Sequence, residues 1–195
     1  TPYDNDYTLQ EPSEALIAGA ELLASDIATE VSSDPARVAA LLPCEPSGPG
    51  DVACFADFLR AFGRSAIRRS PTEDEVELWS TLSAHGEEAG DFAVAVDSAI
   101  RLFLQHPEFL YRVEIGEPVE EEPGVFRLTP GEIATRIAYL TWGSTPPVWL
   151  LDAAESGGLD GGDAIRTAAA DMLDDDRARD RIVRFHSLWM GYEEL

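Results

Sequence analysis

The segment DFAVAVDSAIRLFLQHPEFLYRVE, residues 91–114, decides the fold class of this chain. Its bulky apolar residues recur at three- and four-residue spacing, the period of a helix that turns one face to a core. That face carries Phe92, Val96, Ile100, Phe103 and Leu104. Pro107 predicts an interruption, because proline cannot donate a helical hydrogen bond. Strand-like alternation is nearly missing from the chain, so we predict an all-α fold.

Helix signals continue upstream of this segment. Ser13 is predicted to cap a helix through about residue 31, with Leu16, Ala20, Leu23 and Ile27 as its apolar stripe. A short helix follows Pro35, and another carries the apolar residues between positions 55 and 67. Thr72 and Glu75 have the spacing of a capping box for the next helix, which carries Val76, Trp79 and Leu82.

An acidic segment separates two halves of the chain. GEPVEEEPG, residues 116–124, reads as a solvated linker, and Thr129 with Pro130 and Glu132 then starts a helix. We therefore predict an N-terminal helical region over 1–115 with a disulfide loop, an acidic linker over 116–127, and a second helical domain over 128–195. The two helical subdomains would hold about eight or nine helices.

The charge balance restricts the partners of the protein. Thirty-seven acidic residues face 14 arginines, lysine is absent, and the net charge is -23. This field repels phosphate, so we expect no binding to nucleic acid. We also expect no membrane insertion, since no apolar run approaches the roughly 20 residues of a membrane span. The lack of lysine fits both a G+C-rich genome and adaptation to salt.

The two cysteines, Cys44 and Cys54, flank a loop that contains two prolines and two glycines. Such a loop can fold back far enough to bring the sulfurs together. The alternative is a pair of reduced thiols in a cytosolic protein, although the CxxC spacing of metal and redox sites is absent. We favour a disulfide and therefore an exported protein, because disulfides persist in oxidising compartments.

Four arginines stand close together in an otherwise acidic chain: Arg60, Arg64, Arg68 and Arg69. The first three recur every four residues and so share one helical face. We favour a structural role in which they pair with carboxylates of neighbouring helices, for example Glu73 or Asp74. The alternative is a site for an anionic ligand, such as a haem propionate or an acidic polymer.

Other candidate sites have less support from the sequence. Trp142 and Trp149 flank a GSTPPV segment. We favour packing of both side chains in the core, and the alternative is an exposed carbohydrate-binding surface. The three histidines fall in no zinc-binding motif, and we expect no metal site. No CxxCH motif occurs, so we expect no cofactor, and no covalently bound haem, in this chain.

Four motifs, in this order along the chain, resemble a family of domains of unknown function. They are AIRRSPTEDEV at 66–76, HPEFLYRVE at 106–114, LTPGEIATRIAYLTWGSTPPVWLL at 128–151 and MLDDDRARDRIVRFHSLWMG at 172–191. YDND at 3–6 resembles the start of the segment that precedes these motifs in such proteins. Proline comes one residue later than usual at Pro71, and Ile67 stands where the family tends to have phenylalanine.

The resemblance implies a large exported multidomain protein of planctomycetes or myxobacteria, often fused to c-type cytochrome modules. The first two motifs resemble the small helical domain of this family and the last two the start of a longer domain, so the resemblance implies that the domain over 128–195 is truncated. It implies no catalytic residues, and it would place any haem elsewhere in the parent protein. We expect a non-catalytic helical interaction or scaffold module, whose partners are other domains of the parent or other proteins. The alternative is a segment of a cytochrome-linked oxidoreductase or of a polysaccharide-degrading enzyme whose active site other domains complete.

Overall fold

The computed structural model describes residues 13–192 and confirms the all-α class. Within that range lie ten helices of seven residues or more, one four-residue helical turn and two strands of two residues each. The helix count thus slightly exceeds the predicted eight or nine. The YDND motif lies outside the described residues, as do the outermost ends of the two predicted domains.

The described chain divides into two compact units, one ending at Val113 and the other beginning at Glu114. The first unit contains seven helical elements: α1 (Glu14–Ser32), α2 (Pro35–Leu41), α3 (Val52–Ile67), α4 (Glu73–Ser80), α5 (Ser83–Ala89), α6 (Phe92–Leu104) and α7 (Pro107–Leu110). The second contains β1 (Glu117–Pro118), β2 (Phe126–Arg127), α8 (Pro130–Thr141), α9 (Val148–Glu155), α10 (Gly162–Leu173) and α11 (Asp176–Met190).

Helix α6 is the centre of the first unit and packs against α1, α2, α3, α5 and α7. On its predicted apolar face Phe92, Val96, Ile100 and Phe103 are buried and Leu104 is half-buried. The ring of Phe103 meets the Trp79 ring edge-on with the centroids 4.9 Å apart. Phe55, Phe58 and Leu59 of α3 complete this core and are fully buried. Each such side chain contributes roughly 1.5–3 kcal/mol by leaving water.

The predicted apolar stripe of α1 is wrong as a core face. Leu16, Leu23 and Ile27 are 44%, 61% and 36% exposed, whereas Ala24 and Ala28 are buried against α6. We call Leu16, Ala20, Leu23 and Ile27 the α1 apolar face.

The polar side chains of α6 explain why α1 turns its small residues inward. Arg101 donates to Ser25 Oγ at 2.5 Å and to Thr29 Oγ1 at 3.0 Å, and Asp97 accepts from Ser32 Oγ at 3.2 Å. Half-buried charges need such partners, and three hydroxyls recurring at four- and three-residue intervals supply them from one side of α1. The large apolar residues are left on the neighbouring side.

The helix predicted to start at the Thr72 capping box and to carry Leu82 ends before Leu82, and a second helix follows. The capping box is formed, but α4 ends at Ser80 and α5 begins at Ser83. The hydroxyl of Ser80 donates to the Val76 carbonyl at 2.6 Å, and that of Thr81 donates to the Leu78 carbonyl at 2.7 Å. Hydroxyls that bond to carbonyls of the preceding turn compete with the helical ladder, which accounts for the break.

The segment predicted as an acidic linker over 116–127 forms an exposed hairpin. Glu117 pairs with Arg127 and Pro118 with Phe126. Glu132 of α8 anchors its base, because its carboxylate accepts from the backbone N–H groups of Ile115 at 2.6 Å and Gly116 at 3.0 Å. Burial alone would raise the pKa of Glu132, but these bonds and that from Thr129 N–H outweigh it and lower the pKa.

The second unit packs α8 against α9, α10 and α11. Ala134 and Ala138 of α8, Leu150 of α9 and Met172 of α10 are buried at its centre. The N-caps follow local sequence: Thr129 and Glu132 form a capping box for α8, and Asp175 caps α11. Across residues 13–192, no helix combines the length and the apolar character needed to cross a bilayer.

Candidate functional site

The four clustered arginines do not form one stripe, because α3 ends before the third of them. Helix α3 stops at Ile67, and Arg68 caps it in the left-handed region with φ 63°. The predicted shared face therefore ends at Arg64. The prediction treated the four-residue spacing as one continuous helix, and the turn that precedes Pro71 redirects the last two arginines.

Arg60 lies on the surface against Glu73. Its Nη2 donates to Glu73 Oε2 at 2.8 Å and its Nε to Oε1 at 3.4 Å, while Nη1 reaches Asp57 at 3.2 Å. The hydrogen bonds from Arg60 lower the pKa of Glu73. Both side chains are solvent-exposed, so the pair contributes little to stability.

Arg64 is half-buried and lines a shallow groove of about 450 Å³ beside α3. Arg60, Ser70, Pro71 and Glu73 line the same groove. A second groove of about 490 Å³ lies along α3 and α4 and shares Arg60 and Glu73 with the first. The two grooves mix arginines with acidic residues, and an anionic ligand there stays a prediction.

Arg68 is buried, only 5% exposed, and its guanidinium reaches backbone carbonyls of the described chain. Its guanidinium donates to the carbonyls of Glu108 and Tyr111, the latter at 3.0 Å, and to that of Ala66 at 3.4 Å. These carbonyls belong to α7 and its C-terminal end and to the last turn of α3. Arg68 therefore ties the end of α3 to α7, a role that its spacing did not predict.

Arg69 bridges two glutamates with all three of its guanidinium nitrogens. It donates to Glu108 from Nε at 2.9 Å and from Nη2 at 2.6 Å, and to Glu75 from Nη1 at 2.9 Å and from Nη2 at 2.7 Å. These bonds, with that to Glu75 strongest, raise the pKa of Arg69. Hydrogen bonding to Arg69 and Thr72 lowers the pKa of Glu75 to about 2 against the effect of burial.

This network joins the ends of three elements in the first unit. Glu75 also closes the Thr72 capping box at the start of α4, and Glu108 belongs to α7. The Arg69 guanidinium is planar and binds both carboxylates at once, so it holds the two elements that carry them in a fixed arrangement. We call Arg69, Glu75 and Glu108 the clamp. The sequence identified Glu75 only as a capping residue, and it gave no signal for Glu108.

The predicted disulfide between Cys44 and Cys54 is confirmed. The sulfurs are bonded and the two Cα atoms lie 5.8 Å apart. Within the loop, Asp51 caps α3 by accepting from Cys54 N–H at 3.0 Å and also accepts from the Ser47 hydroxyl at 2.7 Å. These bonds, those from Ser47 first, hold the pKa of Asp51 at about 2.

The two candidate sugar-binding tryptophans have different surroundings. Trp142 is half-buried, donates from Nε1 to the Met172 carbonyl at 2.7 Å, and has the Arg177 guanidinium 3.4 Å from its ring centroid. One face of this ring is therefore occupied. Trp149 is 42% exposed, and among the described residues no ring contact joins it to Trp142. A carbohydrate surface built on both rings stays a prediction.

Helix α11 carries an apolar surface that the sequence-based prediction missed. Ala178 is buried, but Ile182, Phe185 and Trp189, which follow it on the same side, are 52%, 52% and 58% exposed. The rings of Phe185 and Trp189 lie 6.2 Å apart. The side of α11 that faces the core at Ala178 is therefore exposed to solvent from Ile182 onward. We call Ile182, Phe185 and Trp189 the α11 apolar face.

A metal centre receives no support from the geometry of the described residues. No three histidine, cysteine, aspartate or glutamate side chains between residues 13 and 192 lie close enough together to hold an ion. His186 is on α11, where its Nδ1 lies 2.8 Å from the Ile182 carbonyl oxygen.

Comparison with protein families matches two segments of the chain. Residues 54–114 match PSD5, protein of unknown function (DUF1595), and residues 128–195 match PSD4, protein of unknown function (DUF1592). Neither the curated proteins nor the solved structures contain a match. The first match ends one residue after the first compact unit ends, and the second begins one residue before the α8 cap. The chain thus carries a segment that matches PSD5, followed by a segment that matches PSD4.

Proposed function

We propose that this chain is a non-catalytic helical interaction module of a larger exported protein, and that it binds other protein through the α11 apolar face. One observation carries the proposal: a helix whose buried side continues into three large exposed apolar residues. Ala178 faces the core, and Ile182, Phe185 and Trp189 extend the same side into solvent. Grouped exposed apolar side chains mark interaction sites more often than isolated ones.

The composition of the α11 apolar face fits a protein partner. Tryptophan and phenylalanine bury large area with few rotatable bonds, and aromatic residues are enriched where binding energy concentrates. Arginine is enriched at such interfaces too, and α11 contains Arg177, Arg179, Arg181 and Arg184. A helix of this pattern suits packing against another helix.

The arginine cluster supports a structural framework rather than an active site. Arg69 is committed to Glu75 and Glu108, and Arg68 to backbone carbonyls of the same unit. Both residues lie within the PSD5 match, so the clamp is part of that domain. A rigid first unit is what a scaffold needs in order to present its surfaces in a fixed geometry.

Export is the second part of the proposal. The Cys44–Cys54 disulfide fits an oxidising compartment. The resemblance noted in the sequence adds association with c-type cytochrome modules, which would place haem in another part of the parent protein. The partner of the α11 apolar face would then be another domain of that parent, or a second protein.

Two experiments test this function. The purified chain should turn over neither redox dyes nor polysaccharides, and turnover in either assay would contradict the non-catalytic role. The remaining domains of the parent, prepared as a separate polypeptide, should bind the chain in a calorimetric titration. Phe185→Glu should weaken that binding at least about tenfold, since a charge cannot enter an apolar seam without a partner.

The matched control for this titration is Val183→Glu. Val183 lies on α11, is 58% exposed, and points away from the α11 apolar face. Equal binding by both variants would mean that this face is not the binding surface.

A further inference from the structure

Two helices of the chain have exposed apolar faces with the same spacing. On α1 the face runs through positions 16, 20, 23 and 27, and on α11 it runs through 182, 185 and 189, while Ala178 on the same side is buried in its own unit. Positions 20, 23 and 27 of α1 and positions 182, 185 and 189 of α11 share the three-four spacing of a helix-packing seam. The shared stretch is about 10 Å long at 1.5 Å rise per residue.

The two helices also have opposite charge. Helix α1 carries Glu14, Glu21, Asp26 and Glu30 and no basic residue. Helix α11 carries four arginines and two aspartates, and Arg177 is already ion-paired with the N-cap residue Asp175. The charges that flank the two apolar faces are opposite: Asp26 and Glu30 on α1, Arg179 and Arg181 on α11. Opposite charges beside the two faces favour their pairing.

We propose that the α11 apolar face of one copy of the chain packs against the α1 apolar face of a second copy. This inference rests on the proposed interaction function and names a partner for it. The contact is heterologous, so it joins different surfaces of the two molecules and either closes into a ring or continues into longer assemblies. At ionic strength near 0.15 M, charges more than about 8 Å apart are largely screened, which reduces the repulsion between the two acidic molecules.

The test is the mass of the 195-residue chain by sedimentation and light scattering over a wide concentration range at that ionic strength. We expect the mass to rise with concentration. Leu23→Glu removes the α1 apolar face and Phe185→Glu removes the α11 apolar face, so each variant alone should stay monomeric. An equimolar mixture of the two should form a one-to-one heterodimer, because each variant keeps the face that the other lacks.

Matched controls lie on the same helices but off the seams. Leu22 is 69% exposed and Val183 is 58% exposed, and Leu22→Glu and Val183→Glu should associate like the wild type. All four substitutions are at exposed positions, and circular dichroism checks that the helices remain formed.

Three results would overturn the proposal. They are a monomeric wild type at every concentration, a Leu23→Glu variant that still associates through α11 alone, or a mixture that stays monomeric. These results leave the proposed function standing, since that depends on the turnover assays and on binding to the parent domains. If the two variants form the heterodimer but the chain turns over a redox dye or a polysaccharide, the association stands and only the non-catalytic role is contradicted.

Discussion

Arg69 Nη2 lies 2.7 Å from Glu75 Oε1 and 2.6 Å from Glu108 Oε1, so one guanidinium holds the start of α4 and the turn α7 together. The three side chains are between about one quarter and one third exposed. Partial burial reduces screening by water, which makes this clamp stronger than the surface pair of Arg60 with Glu73.

Replacing Arg69 by alanine should lower the free energy of unfolding by about 1–2 kcal/mol, since two half-buried carboxylates lose their charged donors. Arg69→Lys should recover only part of this loss, because a single ammonium cannot form the double fork. Urea unfolding measures both. Arg60→Ala is the matched control and should cost less; a loss as large as that of Arg69→Ala would remove the clamp's special role.

Glu75→Gln should reveal the pH dependence of the clamp. The folded-state pKa of Glu75 is lowered to about 2 from an ordinary value of 4.5. A depressed folded pKa gives stability that is fully present above pH 4.5 and is lost as the pH falls toward 2. The stability difference between wild type and Glu75→Gln should therefore shrink over that window in urea titrations. A difference that is the same at pH 6 and pH 2.5 would contradict the assignment.

Removing the disulfide by the double substitution Cys44→Ser and Cys54→Ser should lower stability by about 2–3 kcal/mol, the chain-entropy value for so short a loop. Reduction of the wild type should have the same effect, and thiol titration of the unreduced, denatured protein should find no free thiol. Unfolding curves that coincide with and without reductant would show that the loop is held by its other contacts.

Arg68 combines an unfavourable backbone conformation with favourable side-chain bonds. Arg68→Gly should destabilise the protein by roughly 3 kcal/mol through the loss of buried guanidinium bonds. Arg68→Ala should cost about 1 kcal/mol more, because alanine also bears the left-handed strain that glycine avoids. If glycine stabilises the protein, the backbone strain exceeds the value of the bonds to the Glu108 and Tyr111 carbonyls.

Two glycines of the first unit should respond to alanine in opposite directions. A Cβ at Gly86 would meet the backbone oxygen of Pro49 at 2.6 Å, so Gly86→Ala should destabilise by about 1–3 kcal/mol. A Cβ at Gly19 meets nothing within 4 Å, and Gly19→Ala on α1 should stabilise by about 0.5–1 kcal/mol. Thermal unfolding distinguishes these signs, and equal effects would contradict the packing at Gly86.

The sequence predicted what local chemistry controls. Capping residues such as Ser13, Thr72 and Thr129 marked helix starts, and the spacing of Phe92, Val96, Ile100 and Phe103 marked the central core face. The cysteine pair was also predictable, because turn residues alone bring the two ends of so short a loop together.

Which side of α1 and of α11 is exposed could not be predicted, because it depends on contacts with distant segments of the chain. Nothing near α1 shows that Arg101 and Asp97, more than 60 residues away, require hydroxyl partners and so leave Leu16 and Leu23 outside. The exposure of Phe185 and Trp189 depends on how far the second core extends along α11, which spacing alone cannot show. The opposite charges of α1 and α11, on which the proposed pairing of the two helices rests, can be read from the sequence.

The most direct test of the central claim is hydroxyl-radical footprinting of the α11 apolar face. The protein purified from its native source is compared with the dilute 195-residue chain, and modification is read at Phe185, Trp189 and the control Val183. An interaction module should show Phe185 and Trp189 protected several-fold in the native protein, while Val183 changes little. Equal modification of Phe185 and Trp189 in the two samples would contradict the claim that this face binds protein.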